Sequence, residues 1–293
     1  MAFLRGHVAN NRFIKFRRTV ADHTATAVSA ILSAIVVSAL VAIFAYLAIK
    51  GASSLNWAFL TQTPKPVGEV GGGMANALVG SVMILLIASG LGLPVGVGAG
   101  IYLAEYGQNR LGQLVRFTAD VLNGVPSIVI GLVAYGLVVF QQGHFSAFAG
   151  GVALAIMMVP ILARTTEEML RLVPQPVREA AFGLGIPQWR TTVSITLPTA
   201  RSGIITGIML AFARVAGETA PLLFTSLGNQ FWNLSPNQPT AALPLQIYVF
   251  ANSPYEDWHR QAWAGALLLI IMIVGTTSVV RFVFRQKLAG EAR

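Results

Sequence analysis

Residues 121–163 read VLNGVPSIVIGLVAYGLVVFQQGHFSAFAGGVALAIMMVPILA and contain no charged side chain. A membrane-spanning helix needs roughly 20 mostly apolar residues, so this stretch is too long for a single crossing. The polar sequence QQGH at residues 141–144 divides it into two candidate spans, 121–140 and 145–163. The stretch therefore predicts two consecutive membrane-spanning helices.

Four more apolar stretches have the length of a span, and they are residues 24–49, 75–103, 202–227 and 261–280. The second of them follows the run Gly71–Gly73, which marks a loop, and the third is interrupted by Arg214 and Glu218. Glycine and proline inside these stretches are compatible with membrane helices. The sequence therefore predicts an all-α integral membrane bundle of six transmembrane helices.

The composition agrees with a protein whose outer surface meets lipid. Of the 293 residues, 55% are hydrophobic and 11% are charged, whereas a soluble domain carries about 25% charged residues. Cysteine is absent, which excludes disulfides, thiolate catalysis and cysteine-ligated metal sites.

The distribution of the basic residues predicts the orientation of the bundle. Sixteen of the 20 Lys and Arg residues fall in an N-terminal tail (1–24), in the loops after the second and fourth spans, or at the C-terminal end, against three in the alternate loops. Because cytoplasmic loops carry the excess of basic residues, both termini are predicted to be cytoplasmic. The permease-like bundle would then occupy residues 25–285, with a C-terminal tail at 286–293. The same distribution accounts for the net charge of +9 without a nucleic-acid partner.

The cytoplasmic loop between the fourth and fifth spans, about residues 164–201, contains the pattern E-A-A-x3-G-x9-I-x-L-P, at Glu179, Ala180, Ala181, Gly185, Ile195, Leu197 and Pro198. The pattern predicts a short helix, a sharp turn and a second short helix. Gly185 supplies the backbone freedom of the turn, and Pro198 is expected to stop the second helix. Such a helix pair presents a rigid surface to a soluble partner.

This pattern resembles the EAA loop of ATP-binding-cassette (ABC) importer permeases. Within that group, four stretches resemble phosphate importer permeases of the PstA type: GIYLAEY (100–106), NGVPSIVIGL (123–132), ARVAGETAPLLFT (213–225) and LPLQIY (243–248). The Glu-Thr-Ala-Pro run at 218–221 favours the PstA type over the sister PstC type.

The resemblance implies a type I ABC importer permease fold with a cytoplasmic coupling-helix loop, in the bacterial cell (inner) membrane. It implies a complex with a paired permease of the PstC type, an ATPase dimer of the PstB type and an extracytoplasmic phosphate-binding protein of the PstS type. The EAA-loop residues named above would dock on the ATPase. ATP and Mg²⁺ would be used there, and this chain would bind no cofactor or metal and catalyse no bond chemistry.

The lysines agree with a separate ATPase. A phosphate-binding P-loop needs Lys followed by Ser or Thr, but the four lysines here are followed by Phe16, Gly51, Pro66 and Leu288. No nucleotide site of that kind is therefore predicted on this chain.

Arg214 and Glu218 are the candidate translocation residues. Counted along the fifth span, Arg214 falls near mid-membrane, where a charge costs about 2.5–3.5 kcal/mol and rarely faces lipid. Glu218 is four residues later, on the same helix face. Two interpretations stay open: a structural ion pair, or an anion pathway in which Arg214 holds phosphate bidentately and Glu218 orients it or accepts a proton.

Pro221 is predicted to break the fifth helix near these residues, because its ring clashes with the carbonyl of Gly217. A half-helix starting near Pro221 would direct its positive end toward the middle of the membrane. Glu105 and Asp120, near the ends of other spans, are predicted to be interfacial charges.

Two alternative functions remain open at this point. The same architecture serves a different oxyanion, sulfate or molybdate, or the chain is an ATPase-independent channel or secondary transporter. Competition for uptake separates phosphate from the other oxyanions, and a requirement for a partner ATPase separates an ABC importer from a channel.

Overall fold

The computed structural model describes the backbone of residues 2–67, 69 and 71–290, and the side chains of 15–67, 69 and 71–284. The predicted C-terminal tail, 286–293, lies outside the described side chains, as does most of the N-terminal tail. The chain divides after Lys50 into two compact units, and the features below belong to the second, from Gly51 onward. In chain order the helices are α1 (Ala2–Ala52), α2 (Trp57–Thr61), α3 (Ala75–Glu105), α4 (Arg110–Gly124), α5 (Ser127–Gln142), α6 (Ala147–Arg171), α7 (Gln175–Gly183), α8 (Gln188–Ala216), α9 (Ala220–Leu223), α10 (Leu243–Ala251) and α11 (Glu256–Gly290).

The six predicted spans correspond to five long helices and one bent pair. Among the described residues, α1, α3, α6, α8 and α11 contain segments long and apolar enough to cross a membrane. The sixth span is the pair α4 and α5, which passes the same test only when the two helices are taken together. The all-α bundle of six spans is thus confirmed.

The predicted third span, residues 121–140, has the wrong start. Residues 121–124 belong to α4, and the chain turns by 110° before α5 begins at Ser127. The cause is Pro126, which excludes its predecessor from helical conformation. Val125 is accordingly extended, with φ −71° and ψ 132°.

Pro198 does not stop a second short helix, contrary to the prediction. The helix α8 runs without interruption from Gln188 through Pro198 to Ala216. A π-helical segment, Thr192–Thr196, ends at the residue before Leu197, which is followed by the proline, and the Leu197 N–H donates to the Thr192 carbonyl five residues back. This wider turn, one residue longer than an α-turn, removes the clash that a proline ring meets in a regular α-helix.

The predicted fifth span, residues 202–227, ends earlier than expected. The helix α8 stops at Ala216, and Gly217 and Glu218 donate backbone hydrogen bonds three residues back, to the carbonyls of Arg214 and Val215. The predicted break at Gly217 and Pro221 is therefore present. The half-helix expected after it is only the single turn α9, because the helix ends at Leu223 and the chain enters left-handed conformation at Leu227, with φ +60°.

The helices α3 and α6 pack closely along a row of small residues on α3. Gly92 lies against Met158, Gly96 against Leu162, and Gly100 against Thr166. Four-residue spacing keeps these glycines on one face of the helix, and the missing side chains let the two backbones approach. The two helices therefore form the centre of the bundle.

Replacing Gly100 by alanine is expected to destabilise the protein. The added Cβ would lie 2.7 Å from the Ala163 carbonyl oxygen and 2.5 Å from the Thr166 Cβ, and such overpacking costs about 1–3 kcal/mol. Gly98→Ala is the matched control, because its Cβ would meet nothing within 4 Å. Thermal unfolding of both purified variants in detergent measures the difference. Equal unfolding temperatures would contradict the close packing of α3 on α6.

The N-terminal end of α6 is covered by the segment between α9 and α10. The backbone N–H groups of Ser146, Ala147 and Phe148 donate to the carbonyls of Thr225, Gln238 and Pro236, at 2.8–3.1 Å. These bonds satisfy amide groups that a helix N-terminus leaves without intrahelical partners. They also fix Thr225, and with it the segment after Pro221, at the N-terminal end of α6.

Candidate functional site

Arg214 lies level with the middle of a neighbouring span. Gly203 of α8 is in contact with Met169 of α6, and Gly207 is in contact with Thr165. Moving four residues forward along α8 thus moves the contact four residues backward along α6, so the two helices run antiparallel. The same register places Arg214 beside Met158, about halfway along α6.

The side chain of Arg214 lies on the exposed face of α8. Exposed residues recur there at four-residue intervals, at Ser202, Thr206, Leu210 and Arg214, whereas Ala211 and Val215 are buried against the bundle. Arg214 also falls in the last turn of α8. The partial negative charge of a helix C-terminus stabilises a cation there, which makes a guanidinium tolerable without a carboxylate beside it.

Glu218 does not share a helix face with Arg214, contrary to the prediction. The helix ends at Ala216, so Glu218 leaves the regular spacing that a continuous helix would impose. Among the described side chains, no carboxylate lies within 4.0 Å of the Arg214 guanidinium, and Glu218 is half-buried. The structural ion pair between these two residues is therefore not formed, and Arg214 keeps its donors available.

The break after α8 is held in place by a close contact with α5. A Cβ on Gly131 would lie 2.7 Å from the Cα of Pro221, so only glycine allows this approach. Pro221 is buried, and its carbonyl accepts a hydrogen bond from the Thr225 hydroxyl at 2.8 Å. Two stretches that are far apart in the sequence, 123–132 and 213–225, thus meet beside the end of α8.

The turn predicted at Gly185 is present. Gly185 has φ +75°, in the left-handed region that glycine adopts without strain. The Gly185 N–H donates to the Phe182 carbonyl at 2.9 Å and the Ile186 N–H to the Ala181 carbonyl at 3.1 Å. This is the Schellman arrangement that ends a helix, here α7, and it directs the chain into α8.

Only part of the EAA pattern lies on the surface of this loop. Glu179 and Ala180 are exposed, as is Gly185, but Ala181 is only 2% exposed and faces the interior. Large apolar side chains accompany the exposed residues, above all Leu184 at 81% and Trp189 at 63% exposed. The loop thus presents one carboxylate within an apolar surface, which is a surface suited to a protein partner.

The second half of the pattern lies on α8 rather than in the loop. Ile195 and Leu197 are half-buried, and Leu197 packs against a cluster formed by Leu170, Val173, Ala200 and Ile204. Pro198 is exposed. This cluster joins the start of α8 to the end of α6, so Leu197 fixes the loop to the bundle from within.

The sequence and the fold agree with one family of transport proteins. Residues 96–287 match the family model described as "Binding-protein-dependent transport system inner membrane component". The phosphate transport system permease protein PstA of Yersinia pestis is 49% identical over 239 residues, 81% of each chain. The protein of the same name from Haemophilus influenzae is 48% identical over 81% of this chain and 84% of its own. The chain belongs to the PstA family of ABC permeases.

A more distant relative agrees with the PstA-type assignment, and solved structures agree with the fold. PstA 1 of Mycobacterium tuberculosis is 41% identical over 75% of this chain and 74% of its own. The inward-facing MetNI methionine ABC transporter matches with a TM-score of 0.57 at 16% identity, over 75% of this chain and 98% of the matched chain. A second crystal form of MetNI matches with a TM-score of 0.51 at 18% identity, over 74% of this chain and 94% of the matched chain. These structures confirm the ABC importer permease fold.

An ion pair and a charged cluster of this PstA-type permease were not predicted from the sequence. Arg178, next to the EAA pattern, forms an ion pair with Glu105, whose side chain is only 4% exposed. Glu167, 1% exposed, accepts hydrogen bonds from Arg116 at 2.7 Å and from Arg164 at 3.0 Å, and it forms an ion pair with Arg171 at 2.7 Å. Arg164 and Arg171 lie three and four residues from Glu167 on α6, whereas Arg116 is 51 positions away, so a local pattern does not connect Arg116 to Glu167.

Asp120, in contrast, is exposed at the edge of this second cluster. Its carboxylate lies 3.1 Å from the Arg164 guanidinium, and its side chain is 57% exposed. Arg116 extends the cluster further, because it also donates to the carbonyls of Leu103 and Gly107 at 2.8 Å. The cluster thereby ties together the ends of α3, α4 and α6.

Proposed function

We propose that this chain is the membrane permease subunit of an ATP-driven importer that moves inorganic phosphate into the cytoplasm. The observation that carries the proposal is Arg214, a guanidinium level with the middle of a span, on an exposed helix face and without a carboxylate within 4.0 Å among the described residues. A charge at that depth is retained for a function rather than for contact with lipid. The names of the PstA relatives support phosphate as the anion.

Arg214 would bind phosphate through two parallel N–H···O bonds, a geometry that guanidinium supplies and ammonium does not. The exposed face of α8 would line the path, with Ser202 and Thr206 on its cytoplasmic side. Glu218, close in sequence but outside the helix, would orient Arg214 or accept a proton from protonated phosphate. Sulfate has no such proton at neutral pH, so this second role would favour phosphate.

The exposed face of α8 requires a cover in the membrane, because Arg214 would otherwise meet lipid. A paired permease of the PstC type would supply it, and the path would lie between the two subunits. An extracytoplasmic binding protein of the PstS type would deliver phosphate at the outer end. Both termini would lie in the cytoplasm of a bacterium, as the basic residues predict.

The loop 172–187 would dock on an ATPase dimer of the PstB type. Glu179, Ala180 and the turn at Gly185 are exposed for that contact, with Leu184 and Trp189 beside them. ATP and Mg²⁺ would be used on the ATPase, and this chain would bind neither. Closure of the ATPase would move the loop and with it the helices around Arg214.

Uptake measurements test this proposal. We expect this chain to restore phosphate uptake in cells that lack their own high-affinity importer, when partners of the PstC, PstB and PstS types are supplied. Cells without the permease give the background. Uptake should stop when the ATPase is omitted, and an excess of sulfate or molybdate should not compete. Uptake without the ATPase would indicate a channel or secondary transporter, and competition by either anion would indicate a different oxyanion.

A further inference from the structure

The strongest contact between the loop 172–187 and the bundle is the ion pair of Arg178 with Glu105. The Arg178 Nη1 lies 2.5 Å from the Glu105 Oε1, and the two side chains are only 13% and 4% exposed. The second guanidinium nitrogen, Nη2, donates to the Leu170 carbonyl at 2.7 Å. One side chain of α7 thus holds the cytoplasmic ends of both α3 and α6.

Glu105 also receives a contact from the other end of the loop. The Gln188 Nε2, at the start of α8, donates to the Glu105 carbonyl oxygen at 2.9 Å. The last residue of α3 is therefore bound by the helix α7 through its side chain and by α8 through its backbone. Displacement of the loop acts on α3 through this residue.

Arg178 and Glu179 have opposite surroundings although they are neighbours on α7. Arg178 is turned into the bundle, and Glu179 is exposed on the outer surface of the loop. A partner that contacts Glu179 therefore acts within one residue of the ion pair. Because α3 is packed on α6 along its glycines, the ends of the two helices would follow the loop together.

We infer that Arg178 and Glu105 are positioning residues that couple the movement of the ATPase-docking loop to α3 and α6. The inference rests on the proposed function, and neither residue contacts phosphate in it. Without the ion pair, the loop would still dock and the ATPase would still cycle, but the membrane helices would follow incompletely. Buried ion pairs are strongly directional when their hydrogen bonds are complete, which suits them to transmit a displacement.

The test is the amount of phosphate transported per ATP hydrolysed, measured in proteoliposomes with the whole complex. We expect Arg178→Gln to lower this ratio by about tenfold, within the usual range of coupling between sites. The ATPase activity stimulated by the binding protein should persist. Arg110→Gln is the matched control, because Arg110 is an exposed cytoplasmic-side arginine at the start of α4, and its ratio should equal that of the native complex.

A second variant keeps the inference testable if Arg178→Gln fails to assemble. The chain contains no cysteine, so the double variant Glu105→Cys/Arg178→Cys can be joined by a short, reducible bis-methanethiosulfonate reagent. We expect the crosslinked complex to recover the ratio and the reduced complex to lose it.

A ratio unchanged by Arg178→Gln, or one equal before and after reduction of the crosslink, would overturn the coupling role. A proportional fall in transport and hydrolysis would do the same, because it indicates a structural role. A native complex that hydrolyses ATP without moving phosphate would instead contradict the proposed function.

Discussion

Arg214→Gln is expected to reduce phosphate uptake by about 10- to 100-fold, which corresponds to the loss of a charge-assisted hydrogen bond of about 1.5–3 kcal/mol. Glutamine is neutral and cannot form the paired N–H···O bonds of guanidinium. The protein should still fold, because Arg214 is exposed at the end of α8 and forms no salt bridge among the described residues. Uptake of labelled phosphate, normalised to assembled complex, measures the effect.

Two further variants show what the arginine does. Arg260→Gln is the same change at an exposed position in the first turns of α11, and it should leave uptake unchanged. Arg214→Lys keeps the charge but loses the bidentate geometry, so its uptake should fall between those of the native chain and Arg214→Gln. Native uptake in Arg214→Gln, at equal abundance, would remove Arg214 from the path.

Glu167→Gln is expected to lower the free energy of unfolding by about 3 kcal/mol, near the lower end for breaking a buried ion pair. Glu167 is 1% exposed and is the only carboxylate that the structure places within 4.0 Å of Arg116 or Arg171 among the described residues. The neutral amide would leave those guanidinium groups without a buried counter-charge. Arg164 retains Asp120, and the more exposed Arg171 can be hydrated, which limits the loss.

Glu168→Gln is the control for this change. Glu168 is the next residue along α6 and is exposed, so its substitution should alter stability by no more than about 0.5 kcal/mol. Thermal unfolding of the two variants in the same detergent compares them. Equal stabilities would contradict the conclusion that Glu167 stabilises the contacts among the ends of α3, α4 and α6.

The spans and the loop turn could be predicted because both depend on local sequence. Charge-free stretches of sufficient length predict the spans, and the basic residues between them predict which loops lie on the same side of the membrane. Gly185 could be identified as the turn because a chain that turns sharply at the end of a helix commonly needs a residue in left-handed conformation. The position of a charge near mid-membrane indicated the candidate transport residues, and the family resemblance added the prediction that the loop docks on an ATPase.

The remaining features depend on contacts between distant residues. Arg178 and Glu105 are 73 positions apart, and Arg116 and Glu167 are 51 apart, so neither pair produces a local pattern. A proline within an apolar stretch either bends the chain or is accommodated in a continuous helix, and the local sequence does not distinguish the two. Pro126 turns the chain by 110°, whereas Pro198 sits within a continuous helix because a π-turn precedes it.

Because α8 is continuous, a tilt of the helix at one end displaces the residues at its other end. The helix carries Gln188, which contacts the end of α3, and Arg214, which lies 26 residues further along and so about 39 Å away at 1.5 Å per residue. If the helix pivots at its cytoplasmic end, a tilt of about 5° displaces Arg214 by about 3 Å, roughly the length of a hydrogen bond. If the loop docks on an ATPase and Arg214 binds an anion as proposed, a small rotation at the docking end would be enough to make or break the contact with the anion, without a relay of side chains between them.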